Sequence, residues 1–328
     1  MTSLSSISKA RRRSLADLPW PDLVLIVALI VAFAVMSRLS PAFLTISNLL
    51  EVTRFSAEIG FLALGMTLVI ITGGIDLSVG STLGLCGIVL GLATTAGLNI
   101  VLACILTLAV GVLCGFFNGF VIARIGIPPL IVTLATLAVF RGLALGFSQA
   151  KSFGDYPQAF FALGQGYVGP FPVQLVLLIG VALAVGIFLS RHTYGRLIYA
   201  LGNNAVAARF AGAPVQSALI LVYSLSGFLA ALAGIIYTSR LSSARADAGT
   251  GFELDAITAV VLGGTAIMGG SGGVIGTLLG LLLIGVIRNG LTLAFIPIEQ
   301  QSIIIGAALL VAVLLNGFLK TLRSRRRV

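Results

Sequence analysis

Apolar residues run along this chain in long stretches, separated by short polar or glycine-rich connections. A helix needs ~20 mainly apolar residues to cross the hydrocarbon core of a bilayer. The pattern predicts ten transmembrane helices, at 20–37, 57–72, 77–96, 100–122, 128–148, 173–190, 215–237, 254–268, 274–296 and 302–318. We therefore predict an all-α polytopic membrane protein with a single transmembrane domain over 20–318.

Positive charge indicates which side of the membrane each connection faces. Lys and Arg are concentrated in the tails 1–19 and 319–328 and in the connection 191–214, and cytoplasmic segments are enriched in these residues. We predict that both basic tails and the 191–214 loop are cytoplasmic and that the 149–172 loop is external. No small-residue cleavage site precedes the first apolar run, so we expect this first span to act as the insertion signal.

Two predicted external connections carry polar residues. Near 37–56, the residues Glu51, Arg54 and Glu58 favour a short amphipathic helix on the membrane surface. The loop 149–172 contains several aromatic residues and prolines. It is either a simple connector or a docking surface for an external partner.

Glycine-rich breaks interrupt two of the apolar runs. The first is TLVIITGGIDLSVGSTLGL at 67–85, and the second is Gly269–Gly280, within ARADAGTGFELDAITAVVLGGTAIMGGSGGVIGTLLGLLLIGVIRNGLTL at 244–293. At an offset of 196 residues four glycines coincide, so the breaks are either an internal duplication or a chance alignment of abundant glycines; the pairs are Gly73 with Gly269, Gly74 with Gly270, Gly80 with Gly276 and Gly84 with Gly280. In hydrocarbon such breaks are tolerated only where protein or a water-filled cavity surrounds them. We predict that the pair gates or lines a translocation path, through Gly73, Gly74, Asp76, Ser78, Gly80, Gly269, Gly270 and Gly276.

Charged residues within the predicted spans are few. A carboxylate at membrane depth is costly and normally faces the interior of a bundle. Asp76 either caps the helix that restarts at Leu77, with help from Ser78, or acts through its charge. Arg141 either extends its head towards the interface or neutralises a buried carboxylate. Most of the glycines, such as those spaced four apart in the fourth span, are expected to serve close helix packing.

The connection 191–214 is too polar to cross the membrane. Within it the string NNAVAARFA at 203–211 has an Ala-rich interior, and Asn203 or Asn204 can cap a helix that Gly212 and Pro214 end. We predict a short helix at the inner surface, suited to receive a push from another protein. An ordinary positively charged loop is the alternative.

Composition agrees with a membrane protein and excludes several functions. Hydrophobic residues make up 58% of the chain and charged residues only 9%, against roughly 25% charged in soluble domains. The basic residues that give the net charge of +10 lie next to apolar spans and do not form a continuous basic face. We therefore predict no nucleic-acid binding. The three cysteines have no metal-ligand spacing. No lysine follows a glycine, which excludes a phosphate-binding P-loop.

Four strings make the chain resemble a known family. They are LALGMTLVIITGGIDLSVGS at 62–81, TLATLAVFRGLA at 133–144, YGRLIYALGNNAVAARFAGAPV at 194–215 and AGTGFELDAITAVVLGGTAIMGGSGGVIGTLLG at 248–280. They are similar to strings of the sugar permeases of bacterial ABC importers. The resemblance implies an inner-membrane permease with about ten spans. It implies three kinds of partner: two ATPase subunits, an external sugar-binding protein and a second permease copy, identical or paralogous.

The resemblance also implies how energy reaches the permease. ATP and Mg would be used by the partner ATPase, and this chain would hold no cofactor of its own. The family's coupling element corresponds to Arg196, Gly202, Asn203, Asn204, Ala207, Ala208, Arg209 and Gly212. No residue is carried over from the family as a sugar ligand.

We therefore expect a non-enzymatic transport subunit that moves a small sugar by alternating access. One alternative is a secondary carrier driven by an ion gradient, with Asp76 as its coupling carboxylate. Another is a membrane scaffold without transport activity.

Overall fold

A computed structural model describes residues 20–307 and 310 of the chain. The helices are α1 (Trp20–Leu39), α2 (Ile46–Ile71), α3 (Val79–Thr95), α4 (Ile100–Phe120), α5 (Pro129–Ser148), α6 (Phe161–Gln165), α7 (Val173–Arg191), α8 (Thr193–Phe210), α9 (Val215–Leu241), α10 (Phe252–Leu262) and α11 (Val274–Leu293). A π-helix (Val121–Ile125) extends α4, a 3-10 turn (Gln158–Phe160) precedes α6, and residues 298–307 are helical. The strands β1 (Tyr167–Val168) and β2 (Phe171–Pro172) form a small antiparallel hairpin.

The helices confirm an all-α polytopic membrane protein. Six of them are long and apolar enough to cross a membrane: α2, α4 with its π-helix, α5, α7, α9 and α11. Val24–Leu39 and α3 are shorter apolar helices. The tails 1–19 and 319–328, and most of the predicted span 302–318, lie outside the described residues, so the number of ten spans stays a prediction.

The predicted span 254–268 is shorter than expected. It forms the eleven-residue helix α10, which is about 16 Å long at 1.5 Å per residue. That is about half the hydrocarbon thickness. The helix ends at Leu262: Gly263 is its C-cap, and the next residue, Gly264, adopts a left-handed φ of +84°.

The expectation of a surface helix carrying Glu51, Arg54 and Glu58 is wrong. These residues belong to the single continuous helix α2, whose start is capped by the Thr45 hydroxyl. Glu58 is buried, and its Oε1 lies 2.6 Å from Nε of Arg240 on α9. The sequence pattern was misleading because the partner of Glu58 is 182 residues away along the chain.

Helices α2 and α9 form the centre of the bundle. The side chains of α2 are almost all buried from Ser56 to Ile71, and α9 packs on α2, α3 and α4. The contact between α4 and α9 is close because Gly111 and Gly115 face Gly227, and a Cβ on any of the three would overlap the opposite backbone. These glycines therefore serve helix packing, as the spacing predicted.

The two ends of the bundle differ in what covers them. At one end, called here the loop end, the connection 149–172 lies against the segment 242–251 that joins α9 to α10. Phe153 pairs with Ala244 through two backbone hydrogen bonds, and Nε2 of Gln165 donates to the carbonyls of Ser239 and Arg240. The connection is thus ordered and attached to α9. At the opposite end α8 covers the glycine breaks.

Candidate functional site

The first glycine break occupies the turn between Ile71, where α2 ends, and Val79, where α3 begins. Gly73 has a φ of +83°, a value that side chains with a Cβ rarely adopt. A Cβ on Gly74 would lie 2.5 Å from the hydroxyl of Tyr223 on α9. The paired glycines are therefore required by the turn itself and by its contact with α9.

Asp76 lies in this turn and is 2% exposed. Its Oδ1 accepts hydrogen bonds from the backbone nitrogen of Ser78 at 3.0 Å and from the Ser78 hydroxyl at 2.7 Å. Its Oδ2 accepts from the hydroxyl of Ser226 on α9 at 3.1 Å. Asn118 of α4 donates to the Ser78 hydroxyl. Asp76 therefore does not cap a helix that begins at Leu77: α3 begins at Val79 with Ser78 as its N-cap, and Asp76 holds Ser78 in a turn that ties the start of α3 to α4 and α9.

The second break, residues 263–273, joins α10 to α11. Its backbone reverses direction through several glycines in left-handed or related conformations, at Gly264, Gly269, Gly270 and Gly272. A hydrogen bond of 3.0 Å from the Ala266 nitrogen to the Ser271 carbonyl closes the turn.

The two breaks meet in the folded chain, 199 residues apart in sequence. The Gly270 nitrogen donates to the Ile71 carbonyl at 2.9 Å. A Cβ on Gly269 would lie 2.7 Å from the Gly73 nitrogen and 3.0 Å from the Cα of Gly202 on α8. We call this meeting point of Ile71, Gly73, Gly202, Gly269 and Gly270 the break junction.

Helix α8 is longer than predicted and has two parts. Asn204 interrupts it with φ of −163° and ψ of 95°, and the Asn204 Oδ1 accepts from the Ala207 nitrogen at 2.9 Å. This arrangement confirms the predicted asparagine cap of the second part. The first part is also helical, which was not predicted. It is stabilised by a cap from the His192 ring and by the buried side chains of Ile198 and Leu201.

The first part of α8 contacts the break junction directly. A Cβ on Gly202 would overlap the Ile71 carbonyl oxygen and the Gly270 nitrogen. Nδ2 of Asn203 donates to the Gly270 carbonyl at 3.3 Å, and the Tyr199 hydroxyl donates to the Gly272 carbonyl at 3.0 Å. A displacement of α8 must therefore strain or move both breaks.

The remaining residues predicted for coupling lie mostly on the surface of α8. Arg196, Ala207 and Arg209 are exposed, whereas Ala208 is buried in a cluster between α8 and α9. Gly212 ends the second part with φ of +75°. The exposed side chains are available to a partner, and Ala208 holds the helix to the bundle.

Two residues predicted for the path lie away from the break junction. Gly276 packs against the Gly263 backbone, between α10 and α11. Gly80 packs under the Gly249 carbonyl and the Glu253 carboxylate. Ser78 joins the Asp76 hydrogen bonds. The structure thus places the predicted residues at the break junction, in the turn that contains Gly74, Asp76 and Ser78, and at two separate packing contacts.

Several polar contacts were not foreseen from the sequence. Tyr199, which donates to the Gly272 carbonyl, looks like an ordinary interfacial aromatic in sequence. Arg141 neither extends to the interface nor pairs with a carboxylate: its Nη1 donates to the carbonyls of Ala246 and Ala248. In sequence, no periodicity distinguishes an arginine that binds backbone carbonyls from one that forms an ion pair.

The ligand sets that bind metal ions are absent from the described residues. Within residues 20–307, no group of three His, Cys, Asp or Glu side chains could hold a metal ion. Asp255 and Arg288, which are both polar residues of predicted spans, form a two-bond ion pair with distances of 2.8 and 2.9 Å.

Comparison with known proteins places the chain in a family. Residues 48–313 match the family model described as branched-chain amino acid transport system / permease component. The ribose import permease protein RbsC of Haemophilus influenzae is 40% identical over 300 residues, which cover 90% of this chain and 93% of the relative. The RbsC protein of Escherichia coli K12 is 41% identical, with 89% and 92% covered. The autoinducer 2 import system permease protein LsrD of Photorhabdus laumondii is also 41% identical, with 89% and 90% covered. No solved structure matches. The chain therefore belongs to this family of permease components and is a multi-pass protein of the bacterial inner membrane.

Proposed function

We propose that this chain is the permease subunit of an ATP-binding-cassette importer and moves a monosaccharide or a related small sugar into the cell. The family and its relatives support an importer permease. The sugar class is suggested by relatives named for ribose and for autoinducer 2. The observation that carries the mechanism is the contact of α8 with both glycine breaks: Gly202 packs on the Ile71 carbonyl, and Asn203 donates to the Gly270 carbonyl.

The mechanism is alternating access driven by separate subunits. An external binding protein delivers the sugar at the loop end, and ATPase subunits engage α8 at the opposite end. ATP and Mg are bound by those subunits, and this chain has no ATPase site of its own. Closure of the ATPase subunits displaces α8. The Gly202 contact, together with the hydrogen bonds from Asn203 and Tyr199, transmits the displacement to both breaks.

A second copy of the permease, identical or paralogous, completes the translocation path. With a path shared between two permeases, the glycine-permitted turns can move relative to each other without exposing unpaired backbone to lipid. Asp76 fixes the start of α3 in this scheme, since both carboxylate oxygens accept hydrogen bonds within the bundle.

Variants of the second part of α8 test this function. Ala207→Pro removes the backbone N–H that the Asn204 side chain caps, and Arg209→Glu reverses an exposed charge in the last turn. Both should lower sugar uptake and sugar-stimulated ATP hydrolysis and leave membrane insertion unchanged. Measurements in proteoliposomes containing the chain with its ATPase and binding protein would show this, and normal coupled uptake in both variants would count against the assignment.

The same proteoliposomes distinguish an ion-driven carrier. In that mechanism Asp76 would carry the coupling charge. Uptake by the permease alone under a proton or sodium gradient, without ATPase subunits, would favour the carrier and overturn the proposed function. A scaffold without transport activity predicts no uptake in either preparation.

A further inference from the structure

A cavity of about 420 Å³ opens at the loop end of the bundle. This volume lies within the range of small-molecule sites. Its wall includes the charged residues Lys151, Arg245 and Asp247 and the hydroxyl residues Ser152 and Ser243. The cavity lies between the ordered connection 149–172 and the segment 242–251, away from the break junction.

Two of these charged side chains form a two-bond ion pair, called here the fork. Nε and Nη2 of Arg245 donate to the two carboxylate oxygens of Asp247, at 3.0 and 2.9 Å. Both side chains remain nearly two-thirds exposed, so the fork has free donors and acceptor lone pairs. The Arg245 guanidinium holds the pKa of Asp247 below its usual value, and the carboxylate stays an acceptor at neutral and mildly acidic pH.

The backbone beneath the fork is attached to the bundle. Arg141 of α5 binds the carbonyls of Ala246 and Ala248 on either side of Asp247. The Thr250 hydroxyl donates to the Asp247 carbonyl at 2.7 Å. The fork therefore stands on a backbone that is held in place before any ligand binds.

A second carboxylate follows on the same segment, closer to the first glycine break. Oε1 of Glu253 accepts from the Gly251 nitrogen at 3.3 Å. Its Oε2 is buried, and no hydrogen-bond donor reaches it among the described residues. This oxygen lies against Gly80, two residues after Ser78 of the first break. The Arg141 guanidinium is the positive charge that acts on this carboxylate, but it donates no hydrogen bond to the buried oxygen, and a buried acceptor without a donor is costly.

We propose that the segment 245–253 supplies the sugar contacts of the path, with the Arg245–Asp247 fork as an entry station and Glu253 as a deeper one. This inference rests on the proposed function and identifies the side chains that would bind the sugar. A sugar presents neighbouring hydroxyls that are both donors and acceptors. Asp247 and Glu253 accept from such hydroxyls, and Arg245 donates to them. The charges of Arg245 and Asp247 cancel within the fork, which suits a neutral polyhydroxy ligand, and Lys151 adds a further donor and one positive charge to the cavity wall.

The test uses the full chain in proteoliposomes with its own ATPase and binding protein, with D-ribose as the probe. Sugar and loaded binding protein are kept saturating, so that the affinity of the binding protein does not enter. The readout is the amount of ribose imported per ATP hydrolysed. The variants are Asp247→Asn, Arg245→Gln and Glu253→Gln. The matched control is Asp155→Asn, which removes an exposed carboxylate at the same end but not from the cavity wall.

The three variants should import about tenfold less ribose per ATP, the change expected when one hydrogen bond to a charged group is lost. ATP hydrolysis and the control should stay at the wild-type level. A merely structural role would instead lower import and ATP hydrolysis together. If one variant fails to fold, the other two and the charge-preserving Asp247→Glu variant decide the question.

Failure of the proposed function and failure of the proposed sugar contacts give different results in this experiment. If the wild-type chain imports no ribose with its ATPase but imports it under an ion gradient, the proposed function fails. If the wild-type chain imports ribose with ATP and the three variants match Asp155→Asn, the proposed function stands and the sugar contacts lie elsewhere.

Discussion

Adding one methyl group at Gly202 should disconnect α8 from the glycine breaks. A Cβ there would overlap the Ile71 carbonyl oxygen and the Gly270 nitrogen. These two backbone atoms are hydrogen-bonded to each other, so neither can turn aside as a flexible side chain would. In an interior packed to crystal-like density, α8 must withdraw by about 1 Å to relieve the overlap.

This withdrawal breaks the two side-chain bonds to the second break. The bonds from Asn203 and Tyr199 now measure 3.3 and 3.0 Å. Each is worth about 1 kcal/mol, so the coupling weakens by about 2 kcal/mol. Alanine favours the helix over glycine by about 1 kcal/mol, and this gain offsets part of the lost hydrogen bonding. The free energy of unfolding should therefore fall by only about 1 kcal/mol.

Sugar uptake in proteoliposomes measures the loss. For Gly202→Ala, a coupling deficit of about 2 kcal/mol corresponds to roughly 30-fold less uptake per ATP hydrolysed, while basal ATP hydrolysis continues. Gly180→Ala on α7 is the matched control, because nothing lies within 4 Å of its added Cβ. Uptake by Gly202→Ala within about twofold of this control would refute the role of the junction.

Substitutions at three further residues test the helix cap, the charge of Asp76 and the buried ion pair. Asn204→Leu should destabilise the second part of α8 by about 1 kcal/mol, while Asn204→Asp keeps the cap; hydrogen exchange at Ala207 would measure the difference, and equal protection would contradict it. Asp76→Asn should retain most of the transport that Asp76→Leu loses, and an equal loss of uptake in both variants would restore a role for the charge. Glu58→Gln should lower the unfolding free energy in detergent by about 3 kcal/mol, because it leaves Arg240 without its buried partner. A melting temperature equal to that of the wild type would rule out this pairing.

The apolar pattern predicted most of the helices, because hydrocarbon imposes a length and polarity that can be read from the chain alone. It placed α10 too far along because the residues 263–268 are nearly as apolar as a helix interior. The left-handed angles of Gly264, Gly269 and Gly270 turn the chain here, and Ile71, on another helix, accepts a hydrogen bond from Gly270 in this turn. The turn is therefore determined by tertiary contact, which local pattern does not contain.

Individual features of the candidate site were predictable from the sequence, but the contacts that bring them together were not. The asparagine cap of α8 follows from residue type and spacing, and the structure places it at Asn204. The meeting of Gly202 with two breaks far away in sequence carries no periodic signal. The cavity at the loop end is similarly hidden, since Lys151 and Asp247 approach it from separate connections.

The attachment of the connection 149–172 to α9 also affects how a ligand is held. A connection of this length is usually a preferred site of protease cleavage, yet here Phe153 and Gln165 bond it to the backbone of Ala244, Ser239 and Arg240. The wall of the cavity is therefore formed before a ligand arrives. Binding there need not be opposed by the entropy of ordering a loop, so even a ligand with few contacts can be held briefly and then released.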